Sequence, residues 1–464
     1  METKKIKTDI EGLDFVLEGG IPAGSTIIFM GAPGTGKTTL VQNIIFNKAK
    51  EGQRTLYITT LGEPLHKLIR FQSSFSFFQE DLIEEKIFFR DVSDKIYNRD
   101  IDSLIQLIDR EVKNVQPNFL VIDSIKSIRE FLNDDKEFRK LVFNFSAKLA
   151  VWDVIAFFLG EYTEEDIFRF PEYSVVDGII HLYGLQEVRF QKRYLRVLKL
   201  RGSGFMPGQH LFTITKDGIS VYPRVKPHVS QIIYKVEETK ESLGVKEIDN
   251  LLEGGVRRGS IVLATGPTGV GKTTLSLFFA KAAADKGEVT LMINFEETPD
   301  ILKYYAIQIG LDLPEDKVYY EFISPVEVDL EYEAYKIFQM LEEKNISRLV
   351  LDSLNSFYLA AHNDRLYRDF LWGLLNILRE RGITTYLALE TENLPREVVF
   401  SDVNISILSD AIITMAYVYS DSEIKRALTI LKARGQNHDK TFREFEITPK
   451  GIKIGNPVKI SSIL

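Results

Sequence analysis

Short apolar runs alternate with longer amphipathic stretches along the whole chain. In the first half the runs are STIIFM (25–30), TLYITT (55–60), NFLVID (118–123) and VIAFFL (154–159). In the second they are SIVLAT (260–265), VTLMIN (289–294), RLVLD (348–352) and TTYLAL (384–389). Continuous apolar runs rich in β-branched and aromatic residues predict strands buried on both faces. Separated by helical patterns, they predict an α/β fold with a mainly parallel sheet flanked by helices. The later segments RYLRVLKL (193–200) and RALTILKA (426–433) are followed by KDGISVYP and PKGIKIG, which predicts β-hairpins extending each sheet edge.

The two halves are copies of one another. LDFVLEGGIPAGSTIIFMGAPGTGKTTL, from Leu13, aligns with IDNLLEGGVRRGSIVLATGPTGVGKTTL, from Ile248, with roughly half the positions identical. One offset of 235 residues relates Asp14 to Asp249 and Gly31 to Gly266. That period is far beyond the ~20–50 residues of a solenoid repeat, so it marks a duplicated domain. Two prolines break regular structure in VYPRVKPHVSQ (221–231), which predicts domains at 1–227 and 228–464.

Composition narrows the class. The 464 residues are 44% hydrophobic and 27% charged, the mixture of a globular chain. The formal charge of -8 argues against coating nucleic acid, and the absence of cysteine excludes disulfides and thiolate chemistry. The start METKKIKTDIEGLD lacks the apolar core of a secretory signal, and no apolar run is long enough to span a membrane. The expected location is the cytoplasm.

The strongest chemical signal is a phosphate loop that occurs twice. Gly31-Ala32-Pro33-Gly34-Thr35-Gly36-Lys37-Thr38, followed by Thr39, and Gly266-Pro267-Thr268-Gly269-Val270-Gly271-Lys272-Thr273, followed by Thr274, both fit G-x-x-x-x-G-K-[ST]. Each lies between a predicted strand and a predicted helix, the context in which glycines turn backbone N–H groups toward phosphate. Lys37 and Lys272 are expected to reach the β- and γ-phosphates of ATP, and Thr38 and Thr273 to bind Mg²⁺. Apolar strands ending in Asp123 and Asp352 fit the acidic partner of the metal shell.

The copies diverge at the end of the second strand. Copy two reads Asn294-Phe295-Glu296-Glu297-Thr298-Pro299, where a carboxylate is a candidate general base for the attacking water. Copy one has Leu61-Gly62 at the pair's place, with Glu63 one residue too late to face the same way. A second recurring feature is a basic pair on one face of a late strand: Lys199 with Arg201, and Lys432 with Arg434. These are either solvated strand-end charges or a finger reaching a neighbour's γ-phosphate.

Together the LEGG-x₃-GS lead-in, the phosphate loops, Glu296-Glu297, Asp352-Ser353 and the terminal KLRG and KARGQNHDK segments resemble the KaiC-like branch of the RecA superfamily of ATPases, over nearly the whole chain. The resemblance implies two tandem RecA-like P-loop NTPase domains, ATP bound between subunits, and a homo-hexameric double ring. It also implies that Lys199, Arg201, Lys432 and Arg434 act in trans. Clock members carry the glutamate pair in both domains and a long tail, where here only GIKIGNPVKISSIL follows the last motif. The expectation is therefore a KaiC-like signalling ATPase outside the clock, with an unidentified protein partner.

In clock members a Ser-Thr pair accepts a phosphoryl group from the neighbouring subunit's ATP. NISILSD (404–410) resembles that stretch, with Ser406 at the serine and Ile407 replacing the threonine. Ser406 is thus either a phosphoacceptor, with Glu296 or Glu297 as its base, or a local cap; Ser401 and Ser409 fit the register less well. Three functions follow from the sequence: an Mg-ATP-dependent ATPase and autokinase, a DNA-dependent relative of recombinases, and a nucleotide-sensing scaffold with little turnover. The lack of a Lys/Arg run or an added DNA-binding module weighs against the second.

Overall fold

The computed structural model describes residues 4–60, 65–98, 101–132, 134–170, 172–186, 191–226, 238–326, 328–361, 363–391, 405–420, 423–458 and 462–463. The chain divides into two compact units, Met1–Arg224 and Val225–Leu464. The division falls inside the proline-bearing segment, three residues ahead of the boundary expected from sequence.

In the first unit the main strands are β1 (Thr26–Met30), β2 (Thr55–Thr59), β3 (Ile87–Asp91), β4 (Phe119–Asp123), β5 (Ile155–Gly160), β6 (Gly178–Gln186), β7 (Gln191–Leu200), β8 (His210–Thr215) and β9 (Gly218–Tyr222). They form one sheet in the order β3-β2-β4-β5-β1-β6-β7-β8-β9. Pairs from β3 to β6 are parallel; β6 to β9 are antiparallel, so the carboxy-terminal hairpins extend one edge.

The second unit repeats this arrangement with β10 (Ile261–Gly266), β11 (Thr290–Asn294), β12 (Val318–Phe322), β13 (Arg348–Asp352), β14 (Thr384–Glu390), β15 (Ala411–Ser420), β16 (Glu423–Ala433), β17 (Arg443–Thr448) and β18 (Gly451–Pro457). Its order, β12-β11-β13-β14-β10-β15-β16-β17-β18, matches the first sheet strand for strand, and Ser462–Ile463 pairs with β15 in addition.

Alternation along the strands builds a core on each face of each sheet. In the first unit Ile27, Phe29, Tyr57, Val121 and Phe157 pack with Leu40, Val41 and Ile44 of helix α1 (Lys37–Lys50). On the opposite face Ile28, Met30, Ile58, Leu120 and Phe158 meet α2 (Ile101–Val115) and α3 (Asp135–Val151). In the second unit Val262, Ala264, Met292 and Val350 pack with α4 (Lys272–Asp285). Leu263, Leu291, Ile293 and Leu351 pack with α5 (Leu330–Glu343) and α6 (Asp364–Glu380). Capping sets where two of these helices begin: Asp134 accepts from Lys136 N and Glu137 N, and Asn363 from Leu366 N.

The repeated lead-in is structural. Asp14 accepts from Thr8 N at 2.7 Å, and Asp249 from Leu243 N at 2.8 Å. Each aspartate thereby ties a short amino-terminal ribbon to the turn that feeds the central strand.

Candidate active sites

Each phosphate loop joins a central strand to a buried helix: β1 to α1, and β10 to α4. Gly31 and Gly266 take φ of 151° and 156°, and the carbonyls of Leu182 and Met415 stand 2.0 and 2.3 Å from where a Cβ would be. No side chain fits there. Lys37 Nζ donates to Gly31 O (2.9 Å) and Ala32 O (3.0 Å), and Lys272 Nζ to Gly266 O and Pro267 O (both 2.9 Å). Burial pushes both lysine pKa values down, opposed by Glu161 and Asp123 in copy one and by Glu390 and Asp352 in copy two. Each ammonium is therefore held in the loop, poorly solvated, where an anion recovers the lost interaction.

Period-two alternation explains the acidic partner. Phe119, Val121 and Asp123 share the face of β4 that meets α1; Arg348, Val350 and Asp352 share the face of β13 that meets α4. Thr38 Oγ1 donates to Asp123 Oδ2 at 3.0 Å, and Thr273 Oγ1 to Asp352 Oδ2 at 2.7 Å. Burial raises the pKa of both aspartates, and these hydrogen bonds oppose it. Copy one adds a bond that copy two lacks: Tyr57 OH donates to Asp123 Oδ2 at 2.8 Å, and Met292 stands at the corresponding strand position.

The two clefts measure about 590 and 450 Å³. Pro33, Gly34, Gly36, Lys37, Thr38 and Thr39 line the first with Asp123; Thr268, Gly269, Gly271, Lys272, Thr273 and Thr274 line the second with Asp352. The first is flanked by Thr59, where its strand ends. Leu61, Gly62 and Glu63 lie outside the described residues. Glu296 and Glu297 both line the second cleft. Glu296 is exposed; Glu297 is partly buried, and desolvation, then Asp352 and Glu296, raise its pKa.

Several cleft residues escaped the sequence reading. Glu161 and Glu390 are one: β1 pairs Thr26 with Ala156 and β10 pairs Ile261 with Thr385, so the two glutamates hold equivalent places beyond the phosphate loop. The signal lay in extending the repeat through VIAFFLGE and TTYLALE. Arg426, Tyr305 and Ile309 line the second cleft from hairpin and helix positions that no local motif announces.

None of the four late basic residues is among those that line the two phosphate-loop clefts. Lys199 Nζ donates to Tyr173 O (3.0 Å) and Val176 O (2.5 Å), and Arg201 to Ser174 O (3.0 Å). Lys432 Nζ donates to Ser406 O (2.6 Å), and Arg434 to Ile407 O (2.9 Å). In each unit the pair folds onto the short helix that precedes β6 (Glu172–Val175) or β15 (Ile405–Leu408). Ser406 sits there, partly buried in the short helix Ile405–Leu408, and Ser409 is buried with its hydroxyl on Ile405 O. Ser401 lies outside the described residues.

The family model described as "ATPase: KaiC" matches this chain twice, over residues 6–226 and 242–459. The chain belongs to the KaiC ATPase family. Membership makes it an ATP-binding ATPase of two tandem RecA-like domains. It is 30% identical over 465 residues to the circadian clock oscillator protein KaiC of Picosynechococcus sp., covering 97% of this chain and 89% of that one. It is 29% identical over 484 residues to the circadian clock oscillator protein KaiC 1 of Synechocystis sp., covering 99% and 92%. No helix among the described residues is long and apolar enough to cross a membrane.

Proposed function

We propose that the second unit carries most ATP turnover, while the first binds ATP tightly and hydrolyses it very slowly, in a ring ATPase of signalling type. The observation that carries this reading is the pair Glu296 and Glu297 in the second cleft beside Asp352, against Leu61-Gly62 at the same point of the first copy's sequence. Burial, with Asp352 and Glu296 nearby, raises the Glu297 carboxyl above its ordinary value, the direction that makes it a better proton acceptor.

Lys272 binds the phosphate oxygens and the loop N–H groups cradle them. Thr273 and Asp352, like Thr38 and Asp123, fit a hard divalent cation: a hydroxyl beside a buried carboxylate, completed by phosphate oxygens. Among the described residues no trio of His, Cys, Asp or Glu offers a separate metal cage. Bound Mg²⁺ would neutralise charge on the β- and γ-oxygens.

Lys432 and Arg434, away from their own cleft, are suited to meet the phosphate of an adjacent subunit, and Lys199 with Arg201 to do so in the first tier. Such a heterologous contact closes into a ring, here a homo-hexamer. Ser406, at the same rim, would reach a γ-phosphate only in that arrangement. Intact chain is to be compared with a Glu296→Gln/Glu297→Gln variant for ATP turnover and for phosphoprotein. Loss of turnover supports the reading; unchanged turnover defeats it.

A further inference from the structure

We propose that Asn294 and Ser353 are positioning residues that hold the attacking water against the glutamate pair of the second unit. The proposal rests on that unit's being the site of turnover. Asn294 ends β11 and is fully buried at 0% exposure, yet neither Nδ2 nor Oδ1 has a hydrogen-bond partner. The Ser353 hydroxyl is in the same state at 4%. Buried polar groups are rarely left so, because each forfeits its hydrogen bonds to water. A residue kept at such a loss points to a use.

Position shows what the use is. Asn294 pairs in register with Asp352, so its amide lies on the face that carries the metal-shell aspartate and the phosphate-loop helix. Ser353 follows Asp352 and lines the cleft with Glu296 and Glu297. Glu297 follows Asn294 by three residues and lines the same cleft as Ser353. Asn294, Ser353 and Glu297 thus stand together at the carboxyl ends of β11 and β13, and a buried water needs about two to four polar partners.

The first copy makes the contrast. Thr59 occupies the register position opposite Asp123, and its hydroxyl stands 3.5 Å from Arg90 O. Ser124, equivalent to Ser353, shares a contact with Ser127 Oγ at 3.5 Å. At these two positions the unpartnered polar atoms belong to the copy that keeps the glutamates.

In the step assigned to this site, the water oxygen bonds the γ-phosphorus as the bond to the β–γ bridging oxygen breaks. ADP leaves with that oxygen, and the water's proton passes to Glu297. Asn294 Oδ1 accepts the water's other hydrogen, and its NH₂ group orients the carboxylate.

The test is Asn294→Leu in the full chain, a near-isosteric change that removes the amide, with kcat, KM for ATP and thermal midpoint measured together. The expected result is a kcat lower by about 10- to 100-fold, at or below the lower end of full general-base assistance because the base itself remains, with KM little changed and a midpoint equal or higher. Ser353→Ala, a smaller change, is expected to lower kcat in the same sense. Unchanged kcat in both variants overturns the proposal. So does a fall in midpoint accompanied by a rise in KM, which marks a structural role. Glu296→Gln/Glu297→Gln run alongside separates the two claims. If it retains turnover, the reading of the second unit fails; if it loses turnover while Asn294→Leu does not, only the role of Asn294 fails.

Discussion

Replacing Arg348 with leucine tests how firmly the second unit's acidic strand is anchored. Arg348 opens β13 and is wholly buried. Its Nε lies 3.1 Å from Glu241 and 2.9 Å from Glu288, its NH1 donates to Ser242 O at 2.8 Å, and the guanidinium lies 4.9 Å from the Phe279 ring centre. Glu288, 21% exposed, can rehydrate when the arginine is removed; Glu241, 3% exposed, cannot. Glu241 then keeps Arg258 at 3.8 Å as its cationic neighbour. Breaking a buried pair from one side costs about 3–5 kcal/mol, and Arg258 places this case at the lower end. At about 2–4 °C per kcal/mol for a unit of this size, the midpoint should fall by about 6–12 °C. The assay is differential scanning calorimetry of the full chain, following the transition of the second unit. The first copy supplies the control. Phe119 stands where Arg348 does, so Arg348→Phe with Glu241→Leu should recover most of the loss. A single variant losing under about 1 kcal/mol, or a double variant as unstable as the single, would refute the reasoning.

Other consequences are as direct. Glu333, buried on α5, has its pKa raised to about 7 by desolvation, with Glu321 and Asp329 adding to the rise and Lys336 opposing it. The folded state therefore binds the extra proton, and stability falls as pH rises from the unfolded value through about 7; Glu333→Gln should remove that slope and stabilise the protein at pH 8 by on the order of 1–2 kcal/mol, read from urea denaturation at pH 5.5 and 8. Arg434→Ala should lower turnover by about 10³-fold, the scale of a trans-acting arginine, with folding intact because its bonds within the chain are surface contacts. Turnover near wild type in a variant that still forms rings by light scattering would show that Arg434 does not act in trans.

How much was legible depended on whether the signal was local. The parallel strands were readable because both faces of each are buried, which makes runs such as FLVID and RLVLD continuously apolar. The phosphate loops were readable because the first glycine of each is dictated by backbone approach, from Leu182 O and Met415 O, and the later ones by positive φ. Six of the eighteen main strands were not identified: β3, β6, β8, β12, β15 and β17. Edge and hairpin strands such as IFFRD and REFEIT carry charge and mixed exposure, so their pattern is weak. Asp123 and Asp352 could be picked out as candidates from strand ends, whereas Arg426 and Tyr305 reach the second cleft by tertiary packing alone. Glu161 and Glu390 fell between these cases, since the repeat offset shifts between the phosphate loop and the fourth strand of each copy.

Unequal division of labour between the two copies is the central claim, and both phosphate lysines sit in near-identical cradles, so lysine geometry cannot by itself produce the asymmetry. Steady-state ATP turnover of Lys272→Ala beside Lys37→Ala in the full chain tests it most directly. The account predicts that Lys272→Ala abolishes most turnover, whereas Lys37→Ala retains catalysis in those molecules that still assemble. Turnover intact in Lys272→Ala and lost in Lys37→Ala would contradict it.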